Sequence, residues 1–307
     1  MKLLIVGTIG LDTIETPFGK KEDILGGSSI HAAYSASFHC STAIVGVVGA
    51  DFPKQHLQFL NDKGIDTSGI KVMPGATFRW SGYYEYDMNQ AHTRDTRLNV
   101  YADFMPEVPD NLKASEFLFL ANLDPELQLK VIEQMDKPKF IAMDTMDFWI
   151  QNKRQALHEV IKKVDLVLMN EGEIRQFMQT PNIPLAAKRL LEFGAKAVVV
   201  KKGEHGALLF TRDTHFSAPS FPQELLRDPT GAGDSFAGGF MGYLARTGDL
   251  SDQNIRRAIV VGSVMASFNV EDFSLDRMKR LKHKEIVERF DEFKRFSEFE
   301  ALQLTLI

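Results

Sequence analysis

One glycine-rich segment of the sequence combines residue types that can bind and move a phosphate group. It runs from Asp228 to Phe240 and reads DPTGAGDSFAGGF, with apolar residues at helical spacing after the turn. Such a turn leaves backbone N–H groups unpaired at the start of a helix, where the helix dipole also favours an anion. Gly231 and Gly233 can take backbone angles closed to other residues and let a phosphate approach closely. The segment therefore predicts an anion-binding site.

Asp234 follows this turn and is the candidate for the chemistry itself. A carboxylate in the first helical turn can accept a proton from an attacking hydroxyl, while nearby N–H groups stabilise charge on the transferred phosphoryl oxygens. An aspartate at this position can also serve only as a helix cap. The flanking Asp228 and Thr230, with the long helix behind the turn, favour the catalytic interpretation.

The elements that must position this turn alternate between buried strands and amphipathic helices. Short branched apolar runs predict strands, and apolar residues three and four apart predict helices. Their alternation favours a mostly parallel sheet covered by helices on both faces, with ligands at the carboxyl ends of the strands. The predicted strands are Leu3–Gly7, Ala43–Val48, Phe117–Ala121, Phe140–Asp144, Leu166–Asn170 and Ala197–Lys201, and the predicted helices include Pro125–Met135, Trp149–Val164 and Leu185–Phe193.

A different pattern occupies residues 77–101. From Thr77 to Tyr86 successive side chains alternate between two faces, a two-residue period that indicates a half-exposed strand. A second strand is predicted over Asp95–Tyr101, after a polar turn. We interpret the pair as a small antiparallel β lid that covers a substrate or forms a homodimer contact. An ordinary edge hairpin is the alternative.

Length, charge and cysteine content exclude several classes of protein. The 307 residues can bury one large core, and we predict a single α/β domain with the lid inserted approximately at 77–101. A net charge of −5 gives no general attraction for nucleic acid or an anionic membrane. The single cysteine, Cys40, excludes an internal disulfide framework, and the apolar start has no cleavage site. We therefore expect a cytoplasmic protein without a transmembrane segment.

The glycine-rich segment closely resembles the carboxyl-terminal signature of the ribokinase-like, or PfkB, carbohydrate kinase family. Gly26-Gly27, the alanines that follow and VGVVGADF at Val45–Phe52 resemble the family's first signature. NEGE at residues 170–173 is similar to its NxxE motif, and KGEHG at residues 202–206 to its nucleotide-contacting glycine loop. The matches follow the family's order through most of the chain. The resemblance implies the family's three-layer α/β sandwich with a small β lid.

The resemblance also implies a reaction and a set of site residues. It implies direct in-line transfer of a phosphoryl group from ATP to a hydroxyl of a sugar or related polyol, with Asp234 as the base. It implies Mg²⁺ near Glu173, held mainly through water, and a K⁺-like ion at Asp228. The other implied positions are an anion hole at Gly231, Ala232 and Gly233; nucleotide contacts at Asn170, Glu173, Lys201, Gly203, Gly206, Thr230 and Ser263; and substrate contacts at Asp12, Gly26, Gly27, His31 and Asp234.

Two positions depart from the family's pattern. His31 stands where members usually have an asparagine that binds substrate hydroxyls. Imidazole can also donate and accept hydrogen bonds, or His31 can simply pack on its helix. Lys201 stands where many members have a threonine before the glycine loop. Its side chain can reach the nucleotide phosphates or extend to solvent.

The acceptor stays open between several classes of molecule. A sugar needs a pocket of paired hydrogen-bonding groups, whereas a nucleoside adds an aromatic shelf, for which Trp80 and Tyr84 are candidates. A sugar phosphate would need extra cations, such as Arg79 and Arg97. A catalytically silent ligand-binding sensor is the alternative from another class, and the retained Asp234 argues against it. No GxxxxGK[ST], HExxH or paired CxxC motif occurs, which disfavours P-loop and zinc enzymes.

Overall fold

The computed structural model describes residues 1–298. Strands and helices alternate along most of the chain, as the hydrophobic pattern predicted. The strands are β1 (Leu3–Val6), β2 (Gly10–Thr16), β3 (Gly19–Gly26), β4 (Thr42–Gly49), β5 (Ile65–Met73), β6 (Phe78–Tyr84), β7 (Ala91–Arg97), β8 (Phe117–Leu120), β9 (Phe140–Met143), β10 (Leu166–Asn170), β11 (Ala197–Lys201), β12 (Ala207–Thr211) and β13 (His215–Ala218).

The helices lie mainly between these strands and after the last of them. The single helix predicted over Trp149–Val164 is two helices, with Lys153 in a non-helical conformation between them (φ −134°, ψ 36°). No helix within residues 1–298 is long and apolar enough to cross a membrane. The helices are α1 (Ser28–Ala36), α2 (Lys54–Asp62), α3 (Asp110–Lys113), α4 (Pro125–Gln134), α5 (Asp147–Asn152), α6 (Arg154–Ile161), α7 (Glu171–Met178), α8 (Ile183–Glu192), α9 (Ala232–Thr247), α10 (Asp252–Asn269), α11 (Asp276–Arg280) and α12 (His283–Ser297), with 3₁₀ helices at Asn99–Asp103 and Gly203–His205.

A nine-stranded sheet forms the centre of the fold, in the order β13-β12-β11-β10-β9-β8-β1-β4-β5. Neighbours from β11 to β5 pair in parallel, and β12 and β13 add an antiparallel edge. Alternate residues of β1 enter separate hydrophobic clusters, Leu3 and Ile5 on one face and Leu4 and Val6 on the other. Both faces are therefore covered, which confirms the predicted three-layer α/β fold with a mostly parallel sheet.

A second sheet, in the order β3-β2-β6-β7, is the lid sheet. The strand predicted from Thr77 is present as β6, but its partner β7 is Ala91–Arg97, and Asn99–Asp103 is a 3₁₀ helix. The prediction also missed β2 and β3, so residues 77–101 supply only half of this sheet. Because β2 follows β1 so closely, the two read as one apolar run from Leu3 to Leu11. β2 and β6 pair in parallel, so the sheet is not purely antiparallel.

Helix α9 packs closely against α1, which brings α1 under the glycine turn. A Cβ added to Gly238 would lie 2.1 Å from the carbonyl oxygen of Ala32, and one added to Gly242 would lie 2.8 Å from the Cα of Ala36. Only glycine allows two helix backbones to approach this closely. The close packing sets the position of the amino end of α9, where the predicted chemistry lies.

Candidate active site

The glycine turn at the start of α9 presents free backbone N–H groups. Gly231 caps the helix at φ 73°, a left-handed conformation that favours glycine. The N–H of Ala232 donates to the carbonyl of Pro229 at 3.1 Å and is therefore engaged. In the part of the chain that the structure describes, the N–H groups of Gly231, Gly233 and Asp234 have no protein acceptor. The backbone N–H groups available to bind an anion are thus those of Gly231, Gly233 and Asp234, whereas the N–H of Ala232, which was predicted to contribute, is already bonded.

The Asp234 carboxylate lies in the first turn of α9, beside these donors. Burial and, after it, the charge of Asp144 raise the pKa of Asp234 to about 7, while Lys201 opposes the rise. None of residues 1–298 donates a hydrogen bond to this carboxylate. A carboxyl group with a pKa near neutrality and a free oxygen is suited to take a proton from a hydroxyl.

The lid sheet reaches the turn through Tyr84 and Asp12. The Thr230 hydroxyl donates to the Tyr84 hydroxyl oxygen at 3.2 Å. Burial and, after it, the charges of Asp228 and Asp234 together raise the pKa of Asp12 to about 7. Asp12 and Asp234 therefore lie close enough to influence each other, one on the lid sheet and the other on α9. The predicted acceptor site is the cleft between them.

Gly26 and Gly27 make room for this arrangement. A Cβ on Gly26 would lie 1.9 Å from Oδ2 of Asp12. Gly27 has φ 102°, and its Cβ would lie 2.5 Å from the carbonyl oxygen of Thr8. A side chain at either position would push Asp12 or the start of α1 away from the cleft. The missing side chains of the two glycines thus allow Asp12 and the Thr8 carbonyl to lie where they do.

His31 belongs to a buried hydrogen-bond network centred on Asn269. The side-chain oxygen of Asn269 accepts from Ser235 Oγ at 2.9 Å and lies 3.0 Å from His31 Nδ1. Its amide nitrogen donates to the Thr230 carbonyl at 2.8 Å. Because an amide oxygen can only accept, His31 Nδ1 carries the proton and Nε2 is left as an acceptor. Burial lowers the pKa of His31 to about 4, and its ring packs under Gly231.

Neighbouring strands of the main sheet end in Asn170 and Lys201, which are directly paired. Asn170 Oδ1 accepts the N–H of Glu173 at 2.8 Å, and Glu173 Oε2 accepts the N–H of Asn170 at 2.6 Å. This capping box starts α7 and fixes both side chains at the sheet edge. Lys201 does not extend to solvent, because its ammonium group forms a buried ion pair with Asp144.

Glu173 has the character expected of a group that serves a cation. Burial raises the pKa of Glu173 well above its ordinary value, even though Lys201 opposes the rise. A bound divalent ion would favour the charged carboxylate, so Glu173 fits the predicted Mg²⁺. No group of three or more His, Cys, Asp or Glu side chains in the described residues could hold a metal ion. Water and phosphate oxygens would have to supply most of the ligands.

Asp228 is fully buried beneath the turn. Its Oδ1 accepts the N–H of Thr230 at 2.8 Å, and its Oδ2 accepts the N–H of Ser274 at 3.2 Å. Burial raises the pKa of Asp228, and these hydrogen bonds oppose the rise. The carboxylate thus ties the approach to the glycine turn to the segment after α10. A monovalent cation at this position stays a prediction.

The glycine loop between β11 and β12 touches the tip of the lid sheet. Gly203 and Gly206 have φ 54° and 85°, and the N–H of Lys202 closes the loop on the Gly206 carbonyl at 2.8 Å. Asn89, in the turn between β6 and β7, donates to the Glu204 carboxylate at 3.2 Å. The lid sheet therefore contacts both the glycine turn, through Tyr84, and the predicted nucleotide loop, through Asn89.

Within the described residues no hydrogen bond joins Ser263 to the other predicted residues, and the structure adds Asp144 and Asn269. The Ser263 hydroxyl donates to the Ile259 carbonyl at 3.1 Å within α10, so its role near the adenine stays a prediction. Asp144 ends a predicted buried strand, and a polar residue at that position was a usable signal. Asn269 ends a long apolar helix, and nothing in the local sequence marks it.

The chain matches the model of the pfkB family carbohydrate kinases over residues 22–279, which is most of its length. It belongs to that family. The cytidine kinase of Thermococcus kodakarensis is 30% identical over 252 residues, covering 80% of this chain and 89% of that protein. The family assigned from the glycine-rich and amino-terminal signatures is thus confirmed.

Solved structures share the fold over nearly the whole chain. The nucleoside kinase of Methanocaldococcus jannaschii superposes with a TM-score of 0.76 at 22% identity, covering 95% of this chain and 99% of that one. A putative ribokinase II from E. coli, in complex with ATP and Mg²⁺, gives 0.77 at 20% identity, covering 96% and 99%. The predicted ribokinase-like architecture is confirmed.

Membership of the pfkB family establishes the class of reaction. The chain is a phosphotransferase with a hydroxyl group as acceptor, in a family of ATP-using kinases that act on sugars and nucleosides. This confirms the enzyme class predicted from the sequence. The acceptor and the roles of individual residues go beyond family membership.

Proposed function

We propose that this pfkB-family kinase transfers the γ-phosphoryl group of ATP to a hydroxyl of a sugar or related polyol, with Asp234 as the general base. One observation carries the proposal. The Asp234 carboxylate is free of hydrogen bonds from the described residues and lies beside the unpaired N–H groups of Gly233 and its own backbone. A proton acceptor and an anion site thus adjoin each other at the amino end of α9.

In the proposed transfer, the acceptor oxygen attacks the γ-phosphorus while the bond from that phosphorus to the leaving oxygen of ADP breaks. The hydroxyl proton passes to the ionised Asp234 carboxylate. The N–H groups of Gly231, Gly233 and Asp234 hold the phosphoryl oxygens and stabilise the charge that develops on them. The products are ADP and the phosphorylated acceptor.

The nucleotide is proposed to lie across the ends of β10 and β11. Asn170, Thr230 and the loop from Gly203 to Gly206 would contact it, with Ser263 near the adenine. Bound Mg²⁺ would neutralise charge on the phosphates, and Glu173 would hold it mainly through water. A monovalent cation at Asp228 is part of the proposal.

The acceptor is proposed to lie between the lid sheet and α1. Asp12, whose carboxylate fills the space beside Gly26 that a side chain would otherwise take, would accept a hydrogen bond from an acceptor hydroxyl. His31 Nε2, left unprotonated by the bond at Nδ1, would accept a second hydrogen bond. Replacing the family's asparagine by this imidazole would change which hydroxyls fit.

A nucleoside is the second candidate acceptor, favoured by the position of Trp80. Trp80 is the partner of Asp12 on the neighbouring parallel strand, so both side chains share one face of the lid sheet. The indole lies over Gly82, where a Cβ would come within 2.3 Å of its ring, and its N–H donates to Thr93 at 3.1 Å. A ring held against a glycine offers a flat surface on which a base can stack.

A screen of acceptor-dependent ADP release tests the function. Sugars, sugar phosphates and nucleosides are assayed with Mg²⁺-ATP, with and without K⁺, and Asp234→Asn serves as the blank. ADP release that requires one class of acceptor supports the proposal. Ligand binding without ADP release for any acceptor would favour the silent sensor instead.

A Trp80→Ala variant separates the two acceptor classes. Stacking on an aromatic side chain contributes about 1–3 kcal/mol per base, so we expect the KM for a nucleoside to rise roughly 5- to 150-fold. The KM for a free sugar should change little. Tyr83→Ala is the matched control. Tyr83 stacks on His92 at 4.9 Å, and it lies on the face of β6 opposite to that of Trp80 and Tyr84. Equal effects on both acceptors would contradict a base-stacking role.

The proposal includes a cytoplasmic location, where ATP is available and the single cysteine stays reduced. Self-association through the lid sheet also remains a prediction. Sedimentation of the purified protein, compared with a variant altered in β7, would test it.

A further inference from the structure

A buried ion pair joins two strands of the main sheet beside the glycine turn. Lys201 ends β11 and Asp144 follows β9, with β10 between them. The Lys201 side chain is 16% exposed and that of Asp144 is 4% exposed. The ammonium group therefore crosses the end of β10 to meet the carboxylate.

The same ammonium group faces the turn that is proposed to bind the phosphoryl group. Its Nζ lies 3.3 Å from the position that a Cβ on Gly233 would occupy. The N–H of Gly233 has no acceptor within residues 1–298. A phosphoryl oxygen bound by that N–H would therefore lie close to Nζ.

The charges around Lys201 leave it as the cation nearest to the reaction. Asp144, Glu173 and Asp234 all interact with it electrostatically. Burial disfavours the ammonium, but these carboxylates outweigh it and raise the pKa of Lys201 above its ordinary value. A triphosphate would add further negative charge to this group of carboxylates. The ammonium group of Lys201, which lies beside Gly233, can offset that negative charge.

We propose that Lys201 is a catalytic residue that donates hydrogen bonds to the oxygens of the transferred phosphoryl group, and that Asp144 is the positioning residue that holds its ammonium at the turn. Lys201 stays protonated throughout, and Asp234 alone takes the acceptor proton. The inference rests on the proposed kinase reaction. The family resemblance implies only that Lys201 contacts the nucleotide, whereas this inference gives Lys201 a specific role in the transfer step.

The competing explanation is that Lys201 only neutralises Asp144 in the protein interior. Removing one member of a buried pair leaves an uncompensated charge, whereas removing both is often tolerated. The double variant Lys201→Met/Asp144→Asn therefore separates the two explanations. If Lys201 only balances charge, the double variant regains the turnover that Lys201→Met lost. If Lys201 acts on the phosphoryl group, the double variant stays slow.

We expect Lys201→Met and the double variant to lower kcat about 10²- to 10³-fold, the loss typical of one donor to a developing anion. The KM of the acceptor should stay within about twofold, because Lys201 faces the phosphate and not the acceptor. Lys196→Met is the control, since its ion pair with Asp165 at 2.7 Å lies at the opposite ends of β10 and β11. It should leave kcat unchanged.

The pH profile gives a second readout. Asp144 and Lys201 face Asp234 from the main sheet, and Asp12 and Tyr84 face it from the lid sheet. Lys201→Met should move the acid limb of kcat to higher pH and Asp144→Asn should move it to lower pH. These shifts report the electrostatic contact of the pair with Asp234, and an acid limb that neither variant moves would contradict that contact; the kcat of the double variant then shows whether Lys201 also acts on the phosphoryl group.

Turnover at the wild-type level in folded Lys201→Met, or its recovery in the double variant, would overturn the inference. Either result requires a wild-type protein that releases ADP, so it would leave the kinase reaction itself standing. Absence of ADP release from the wild type with every acceptor class would overturn the proposed function first. Should Lys201→Met fail to fold, the double variant alone decides between the two explanations.

Discussion

Replacing Asp234 by asparagine should leave the fold and nucleotide binding intact while removing most of the turnover. The amide has the size of the carboxylate, and no hydrogen bond from the described residues is lost with the charge. Burial already raises the pKa of Asp234 to about 7, so the folded protein disfavours the ionised form. A neutral side chain at this position should therefore stabilise the ligand-free protein above pH 7.

The size of the expected loss follows from the role of the carboxylate. General-base catalysis typically contributes 10²- to 10⁴-fold, which corresponds to about 2.7–5.4 kcal/mol of activation free energy. The backbone N–H of residue 234 remains, so phosphate binding should change little. We expect kcat to fall by at least about 10²-fold and the dissociation constant for ATP to stay within about threefold.

Acceptor-dependent ADP release and direct ATP binding are the two measurements required. In the wild type, only the ionised carboxylate accepts a proton, so turnover should rise with pH up to about 7 and then level off. The asparagine variant should lack this acid limb. Asp252→Asn, in the first turn of α10, is a control that should leave activity unchanged. Near-normal turnover in Asp234→Asn, or the same acid limb in both proteins, would refute the assignment.

Two further substitutions test the turn and the cleft. Gly231→Ala should lower both stability and turnover, because an alanine at φ 73° costs about 1–2 kcal/mol and its Cβ would lie 2.4 Å from the His31 ring. Gly248→Ala is the control: its φ is 66°, but no atom lies within 4 Å of the added Cβ, so it measures the cost of the backbone conformation alone. Thermal melts and kcat should thus separate the two, and equal effects would exclude a role for His31 packing. Asp12→Asn should raise the melting temperature of the ligand-free protein at pH 8 but not near pH 4. The contribution of Asp12 to stability falls as pH rises from 3.8 to about 7, because the folded state resists ionising its carboxyl group. An equal gain at both pH values would contradict this.

Much of the fold was readable because the signals were local. Strands such as Leu3–Gly7 and Ala197–Lys201 are short, branched and buried on both faces, so their apolar runs are distinct. The glycine turn was readable for the same reason, since its geometry depends on adjacent residues. The lid sheet was only half found, because β3 carries a run of exposed polar residues with no alternation. Its pairing with β2 is set by tertiary contacts that a local pattern does not record.

Asp144 and Asn269, the partners of two predicted residues, were missed for a related physical reason. Asp144 and Lys201 are 57 positions apart, and His31 and Asn269 are 238 apart. Parallel strands bring their carboxyl ends to one edge, so a sequence can indicate that Asp144 and Lys201 lie at the same edge. It cannot indicate that the lysine bends across β10 instead of extending to solvent, because that choice depends on the buried charge of Asp144. The pairing of the Lys201 and Asp144 charges thus depends on the strand order, in which β10 lies between β9 and β11. The role proposed for Lys201 depends on that order in turn.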